Sequence, residues 1–296
     1  MTLPTSTSAD TNPFEAPQPR DIRLTQVILR VVVAMQCFGM AAAHLHHQQP
    51  DLFCELILKS RDLPADQISN IADIAAYLLA ACGVFTLLRP ATLVLLPLIV
   101  YQAGTAIVPA LQGDGLYSRC EPALQATQIA VPLALMLVDF WPPRIKPSLA
   151  MCLAAMTFLK FATAAAFIAH GLICIDQARQ GGPLLDLFHQ AFRRGIRENF
   201  PLQDFQPVLA TLGAIEVGLA VALFTGRSRL VMAACAATGL LIASVSIAAQ
   251  GAQGYRQCLS QISLMGAPLA SLVFHLTSVR EQLPLYLPEI RKSPPA

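Results

Sequence analysis

The sequence predicts an all-α integral membrane protein with eight transmembrane helices, arranged as two parallel four-helix-bundle repeats. Three observations lead there. Of the 296 residues, 55% are hydrophobic and 13% charged, where a soluble domain carries about 25% charged residues; the mean hydropathy is +0.55. Eight stretches reach the roughly 20 residues needed to cross a hydrocarbon layer about 30 Å thick. The third observation is that the chain is one unit written twice.

The duplication is read from short matched blocks. Residues 112–120 (QGDGLYSRC) recur as 250–258 (QGAQGYRQC), so Gln112, Gly113, Tyr117 and Cys120 match Gln250, Gly251, Tyr255 and Cys258. Asp51-Leu52-Phe53 recurs as Asp186-Leu187-Phe188, and Leu63-Pro64 as Phe200-Pro201. The run GVFTLLRPATLVL (83–95) corresponds to ALFTGRSRLVMAA (222–234). A fold that serves one half must serve the other.

In chain order, residues 1–22 are polar and proline-rich and are expected to be a disordered tail. The first repeat, 23–142, holds spans at 24–45, 71–88, 91–111 and 122–139. The second, 143–280, holds spans at 148–174, 207–226, 229–250 and 261–279, and 281–296 form a C-terminal tail. Reading the first span as a signal peptide cleaved after Ala43 is the alternative. Arg30 inside the run, and the need for a partner to the fifth span, argue against it. Four helices per repeat is an even number, so both copies face the same way, about an axis along the membrane normal. Alanine runs such as Ala164 to Ala166 allow close helix approach where lipid gives no hydrophobic drive.

Basic residues are split ten to eight between the two sides, and six of the outer eight fall in the two longest loops. Short loops weigh more in orientation, which puts both termini in the cytoplasm of a cell membrane, the inner one where there are two. The lipid bilayer is then the first partner. A net charge of +2, with no phosphate-binding glycine loop or zinc spacing, points to no nucleic-acid partner and no assigned metal.

The second long loop repeats Leu184, Leu185, Phe188, Phe192, Ile196 and Phe200 at three- and four-residue intervals, with Arg193, Arg194, Arg197 and Glu198 largely opposite. That pattern is an amphipathic helix lying in the interface. Its first-half counterpart is Leu52, Phe53, Leu56 and Ile57. It serves either as a lid sealing the bundle or as a platform for a lipophilic substrate or a partner.

Chemistry concentrates at few positions. Lys160 lies near the middle of the fifth span, and Glu216 about nine residues inside the sixth, roughly 13 Å deep. A lone ion at that depth is costly, so the two are expected to pair, or the acid to be neutral. His170 closes the fifth span and would link such a pocket to the outer surface. Tyr101 and Gln102 lie mid-span in the third helix as candidate cofactor-binding residues. His44, His46 and His47 cluster at the corresponding end of the first span, but no second ligand set of fixed spacing accompanies them. Cys54, Cys120, Cys174 and Cys258 all fall at the outer face, so pairs Cys54–Cys120 and Cys174–Cys258 respect the repeat. Four free thiols, or a redox-active pair, remain open.

The runs LKFATAAAFIAHG (159–171) and AIEVGLAVALFTGRSRL (214–230) resemble the DoxX-like family of small four-helix membrane proteins. Lys160, His170 and Glu216 match the family's polar positions. The first half departs from it: Tyr77 or Leu78 stands where Glu216 does, so the acid is missing there. The resemblance implies a membrane subunit associated with quinone-linked redox chemistry, with quinone as the cofactor, Glu216 and His170 handling protons and a redox or assembly protein as partner. Two other readings stay open: a small-solute transporter or channel, and a non-catalytic assembly or structural subunit.

Overall fold

A computed structural model describes residues 20–47, 65–113, 115–139, 149–195, 201–225 and 229–276. The expected terminal tails, the first-half amphipathic segment at 52–57, Cys54, Ile196 and Phe200 lie outside the described residues.

The described chain is helical. It runs through α1 (Arg20–His47), α2 (Ala65–Leu88), α3 (Thr92–Gln112), α4 (Leu116–Leu124), α5 (Ala126–Val138), α6 (Leu149–Gln180), α7 (Pro183–Gly195), α8 (Leu202–Thr225), α9 (Arg229–Gln250), a 3-10 turn (Gly251–Gly254), α10 (Tyr255–Ser260) and α11 (Ser263–Phe274). Backbone groups satisfied within each helix are what a bilayer demands.

Seven stretches among the described residues are long and apolar enough to cross a membrane: Ile22–Leu45, Asn70–Leu88, Thr92–Gln112, Leu116–Val138, Ala150–Gln180, Leu202–Thr225 and Arg229–Ser260. The expected eighth span is represented by α11, whose 12 residues fall short of the roughly 20 that a crossing needs. Helix ends also differ from the apolar windows. α6 continues past residue 174 through Asp176, Gln177 and Arg179, and α8 begins at Leu202 rather than 207. Hydrogen bonding carries a helix into the polar zone where hydropathy has already fallen.

α1 and α6 are the central helices. α1 packs against α2, α5, α10 and α11, and α6 against α8, α4, α5 and α11. Each is therefore clasped by closing helices from both halves. Gly39 makes one such contact: a Cβ there would lie 2.4 Å from the Ser260 nitrogen and 2.8 Å from the Arg256 oxygen. One buried apolar cluster runs through Leu29, Val33, Leu95, Leu135, Met156, Leu159 and Phe274, so the halves share a core. Arg30, the charge inside the first span, pairs with Asp139 at the end of α5 (2.5 Å). Gln26 and Gln36 donate to the Val138 and Gln128 carbonyls at 2.9 and 3.1 Å, which fixes the α1–α5 register.

The outer helices present apolar side chains outward: Ile74 and Phe85 on α2, Leu93 and Val100 on α3, Ile215 and Phe224 on α8, Leu230 and Leu241 on α9. An apolar belt of this extent is consistent with a multi-pass membrane protein. The exception is α7. Leu185 and Phe188 are buried while Asp186, Arg193 and Arg194 are exposed, and a two-glycine turn leads into it with Pro183 at its first position. The Leu184 N–H donates to the Gln177 side-chain oxygen at 2.8 Å, satisfying one of the open donors of the first turn. The amphipathic helix expected from the loop sequence is present and lies across one end of the bundle.

Candidate functional site

A cavity of about 530 Å³ lies beneath α7 and between the halves. One wall comes from α1, α3, α4 and α5 through His44, Tyr101, Thr105, Tyr117, Glu121, Gln125 and Gln128. The other comes from α6, α7, α9 and α10 through Ala166, His170, Ile173, Leu187, Phe188, Ser246 and Gln257.

The second-half wall is set by the crossing of α6 and α8. A Cβ on Gly171 would lie 2.5 Å from the Gly213 oxygen, and one on Gly213 would lie 2.5 Å from the Gly171 oxygen. Only glycine lets the two backbones meet this closely. The approach brings His170 and Glu216 together, with Nδ1 and Oε2 2.6 Å apart. Both side chains are buried, Glu216 completely. One turn on, the Cys174 Sγ is 3.5 Å from the same Nδ1. The second oxygen of Glu216, Oε1, has no hydrogen-bond partner among the described residues. The ring of Phe188 from α7 sits beside the imidazole, tilted to it by 50° at a centroid distance of 6.2 Å.

The first-half wall carries its own polar set. His44 Nε2 and the Tyr101 hydroxyl are 2.7 Å apart. The Thr105 hydroxyl donates to Gln125 Oε1 at 3.2 Å, and Gln125 Nε2 donates to Glu121 Oε1 at 2.7 Å. The other oxygen of Glu121 is buried without a partner among the described residues.

Of the three residues the sequence singles out, His170 lines the cavity while Glu216 and Lys160 do not, and Glu216 lies behind the wall as the direct hydrogen-bond partner of His170. The expected Lys160–Glu216 pair is not what the register gives. Gly171 meets Gly213, and the tilted rings of Phe161 and Phe224 meet at a centroid distance of 5.5 Å, so the antiparallel crossing sets Glu216 level with residues 168–170 and Lys160 level with the end of α8. Eight residues of helix, about 12 Å, separate the two levels. The contact of Gly171 with Gly213 fixes this offset, and a hydropathy pattern does not register one helix against the next. Tyr101 lines the cavity. Gln102 does not: it is buried on another side of α3, with Nε2 3.8 Å from Met40 Sδ. The Cys174–Cys258 disulfide is corrected too, because both are free thiols, Cys174 being turned inward beside His170. Cys120 is likewise a free thiol, and its expected partner Cys54 lies outside the described residues.

The sequence reading missed Glu121. Glu121 lies one residue before the apolar run at 122–139 and away from the position equivalent to Glu216, so neither hydropathy nor the repeat singles it out. The signal was present: Glu121, Gln125 and Gln128 recur at four- and three-residue spacing, which places three polar groups on one helical face. It also missed Cys174 as a neighbour of His170, four residues away on α6.

The arrangement can hold a small ligand with both apolar surface and several hydrogen-bonding groups. It can also hold a cation, since donor atoms of His170, Cys174 and Glu216 all lie within 4.8 Å of one another. In comparisons with known proteins, no family model, no curated protein and no solved structure matches this chain.

Proposed function

We propose that the protein is a multi-pass subunit of the cell membrane, with both termini cytoplasmic, that binds a quinone in the cavity between two parallel repeats. The observation that carries this reading is a cavity of about 530 Å³ under an amphipathic helix, lined by apolar side chains such as Ile173, Leu187 and Phe188 together with hydrogen-bonding groups from both halves. Its volume falls in the range of about 300–1,000 Å³ usual for small-ligand sites.

The packing supports the repeat. α1 stands to α2, α5, α10 and α11 as α6 stands to α8, α11, α4 and α5. In this reading α9 alone is the seventh crossing, and α10 and α11 together are the eighth, equivalent to α4 and α5. The resemblance to the DoxX-like family points the same way, through His170 and Glu216.

Glu216 holds the His170 ring from the Nδ1 side, which leaves Nε2 for a ligand. Tyr101, tied to His44, faces it from the other half. These groups suit the carbonyl oxygens of a quinone and the hydroxyls of a quinol, and Glu121 adds an acceptor. A bound quinone would supply two-electron, two-proton redox chemistry with electrons exchanged through a redox partner protein, and His170, Tyr101 and Glu121 would hold its oxygens and their protons. Organic extraction of the purified full-length protein tests the reading: quinone near one per chain is expected, together with loss of quinone-dependent activity in Glu216→Gln. Protein free of quinone and partnered only by other polypeptides would move the reading to an assembly subunit.

A further inference from the structure

We propose that His170, Cys174 and Glu216 form a site for one divalent transition-metal ion of the zinc class, set behind the cavity wall. The site does not depend on the quinone reading.

The geometry comes first. His170 and Cys174 stand four residues apart on α6, so both side chains leave the same face of the helix. Glu216 comes from α8 through the contact at Gly171 and Gly213. The three donor atoms lie within 4.8 Å of one another. A tetrahedral ion with bonds of about 2.0–2.3 Å holds its ligand atoms about 3.3–3.8 Å apart. Small side-chain rotations reach that spacing, whereas the hydrogen-bonded distance of 2.6 Å between His170 and Glu216 must open slightly to admit the ion.

The chemistry agrees. Imidazole, thiolate and carboxylate together suit zinc and its borderline neighbours, and not magnesium or calcium. Charge balance is favourable in a low-dielectric interior. A neutral metal-free site holds two exchangeable protons, one on the Cys174 thiol and one shared in the His170–Glu216 bond. A divalent ion replaces both, so the net charge stays at zero where an uncompensated charge would cost several kcal/mol.

The fully buried Oε1 of Glu216 is the independent sign. It has no hydrogen-bond partner among the described residues, and a buried acceptor of this kind needs one. As a second ligand atom, or as acceptor for a metal-bound water, it gains that partner. A metal on Nδ1 also confines the ring proton of His170 to Nε2, so the imidazole presents a donor on its other side.

The test uses the full-length protein, purified without chelator from zinc-supplemented cells. Elemental analysis is expected to find about one zinc per chain. Exchange to Co²⁺ is expected to give a thiolate-to-cobalt charge-transfer band that Cys174→Ser removes, with metal affinity lowered at least about 100-fold. Cys235→Ser, at a buried cysteine on α9, keeps both. A second measurement needs no variant: in the wild-type protein, Zn²⁺ is expected to protect Cys174 from alkylation. Protein without zinc and without the cobalt band, an unchanged band in Cys174→Ser, or equal labelling with and without Zn²⁺ would each overturn the site. Quinone extracted from the same samples separates the two readings, because zinc without quinone keeps the metal site and removes the quinone function.

Discussion

Gly171→Ala is the sharpest probe of the crossing that builds the site. The added Cβ would lie 2.5 Å from the Gly213 oxygen, 2.9 Å from Val217 Cγ2 and 3.3 Å from Glu216 Cβ. Ordinary carbon–oxygen contacts are about 3.3–3.6 Å, so α6 and α8 must part by about 0.8–1.1 Å. Carried to the His170–Glu216 bond, now 2.6 Å, that separation gives about 3.4–3.7 Å, outside the range of about 2.7–3.2 Å for such bonds. Overpacking costs about 1–3 kcal/mol, and losing a hydrogen bond to a charged group about 1.5–3 kcal/mol. At about 2–4 °C per kcal/mol, the thermal midpoint in detergent should fall by several degrees or more. Gly218→Ala on α8 is the control, since a Cβ there meets nothing within 4 Å; its midpoint should stay level or rise slightly. Equal midpoints for the two variants would refute the claim that backbone contact sets the site.

Three further outcomes are expected. Tyr101→Phe removes the hydrogen bond to His44, costing about 0.5–1.5 kcal/mol, and should lower the quinone retained through purification while the fold persists by circular dichroism. Denaturing alkylation without reductant, read by mass spectrometry, should label Cys174 and Cys258; a peptide pair linked through them would contradict the packing of α6. A double-mutant cycle on Arg30 and Asp139, whose side chains are 30% and 14% exposed, should give a coupling of up to about 1 kcal/mol in thermal stability, and additive losses would show that the pair does not fix α1 on α5.

The apolar helical character was legible because it rests on composition, and Glu216 and His170 stand out in the sequence because ionisable groups are rare inside apolar helices. What pairs with Glu216 was not legible. That depends on the α6–α8 register, which the contact of Gly171 with Gly213 sets and which a hydropathy pattern does not carry. Gln102 was misplaced for a related reason. Tyr101 and Gln102 are neighbours in sequence, yet about 100° of helical turn separates them, so one reaches the cavity and the other packs beside Met40. Cysteine pairing followed the repeat, whereas which way Cys174 turns is set by its position on the face of α6 that also carries His170. Glu121 sits at the polar margin of its span, where an acid reads as interfacial; α4 tilts it onto the cavity instead.

The central claim, that a quinone occupies the cavity between the halves, is tested most directly by labelling membranes with a photoreactive quinone analogue and mapping the adducts. The account predicts adducts on the cavity-facing parts of α3, α4 and α6, around Tyr101, Glu121 and His170, suppressed by excess unlabelled quinone and reduced in Tyr101→Phe. Adducts confined to lipid-facing residues such as Leu93 and Leu230, unaffected by competitor, would contradict it.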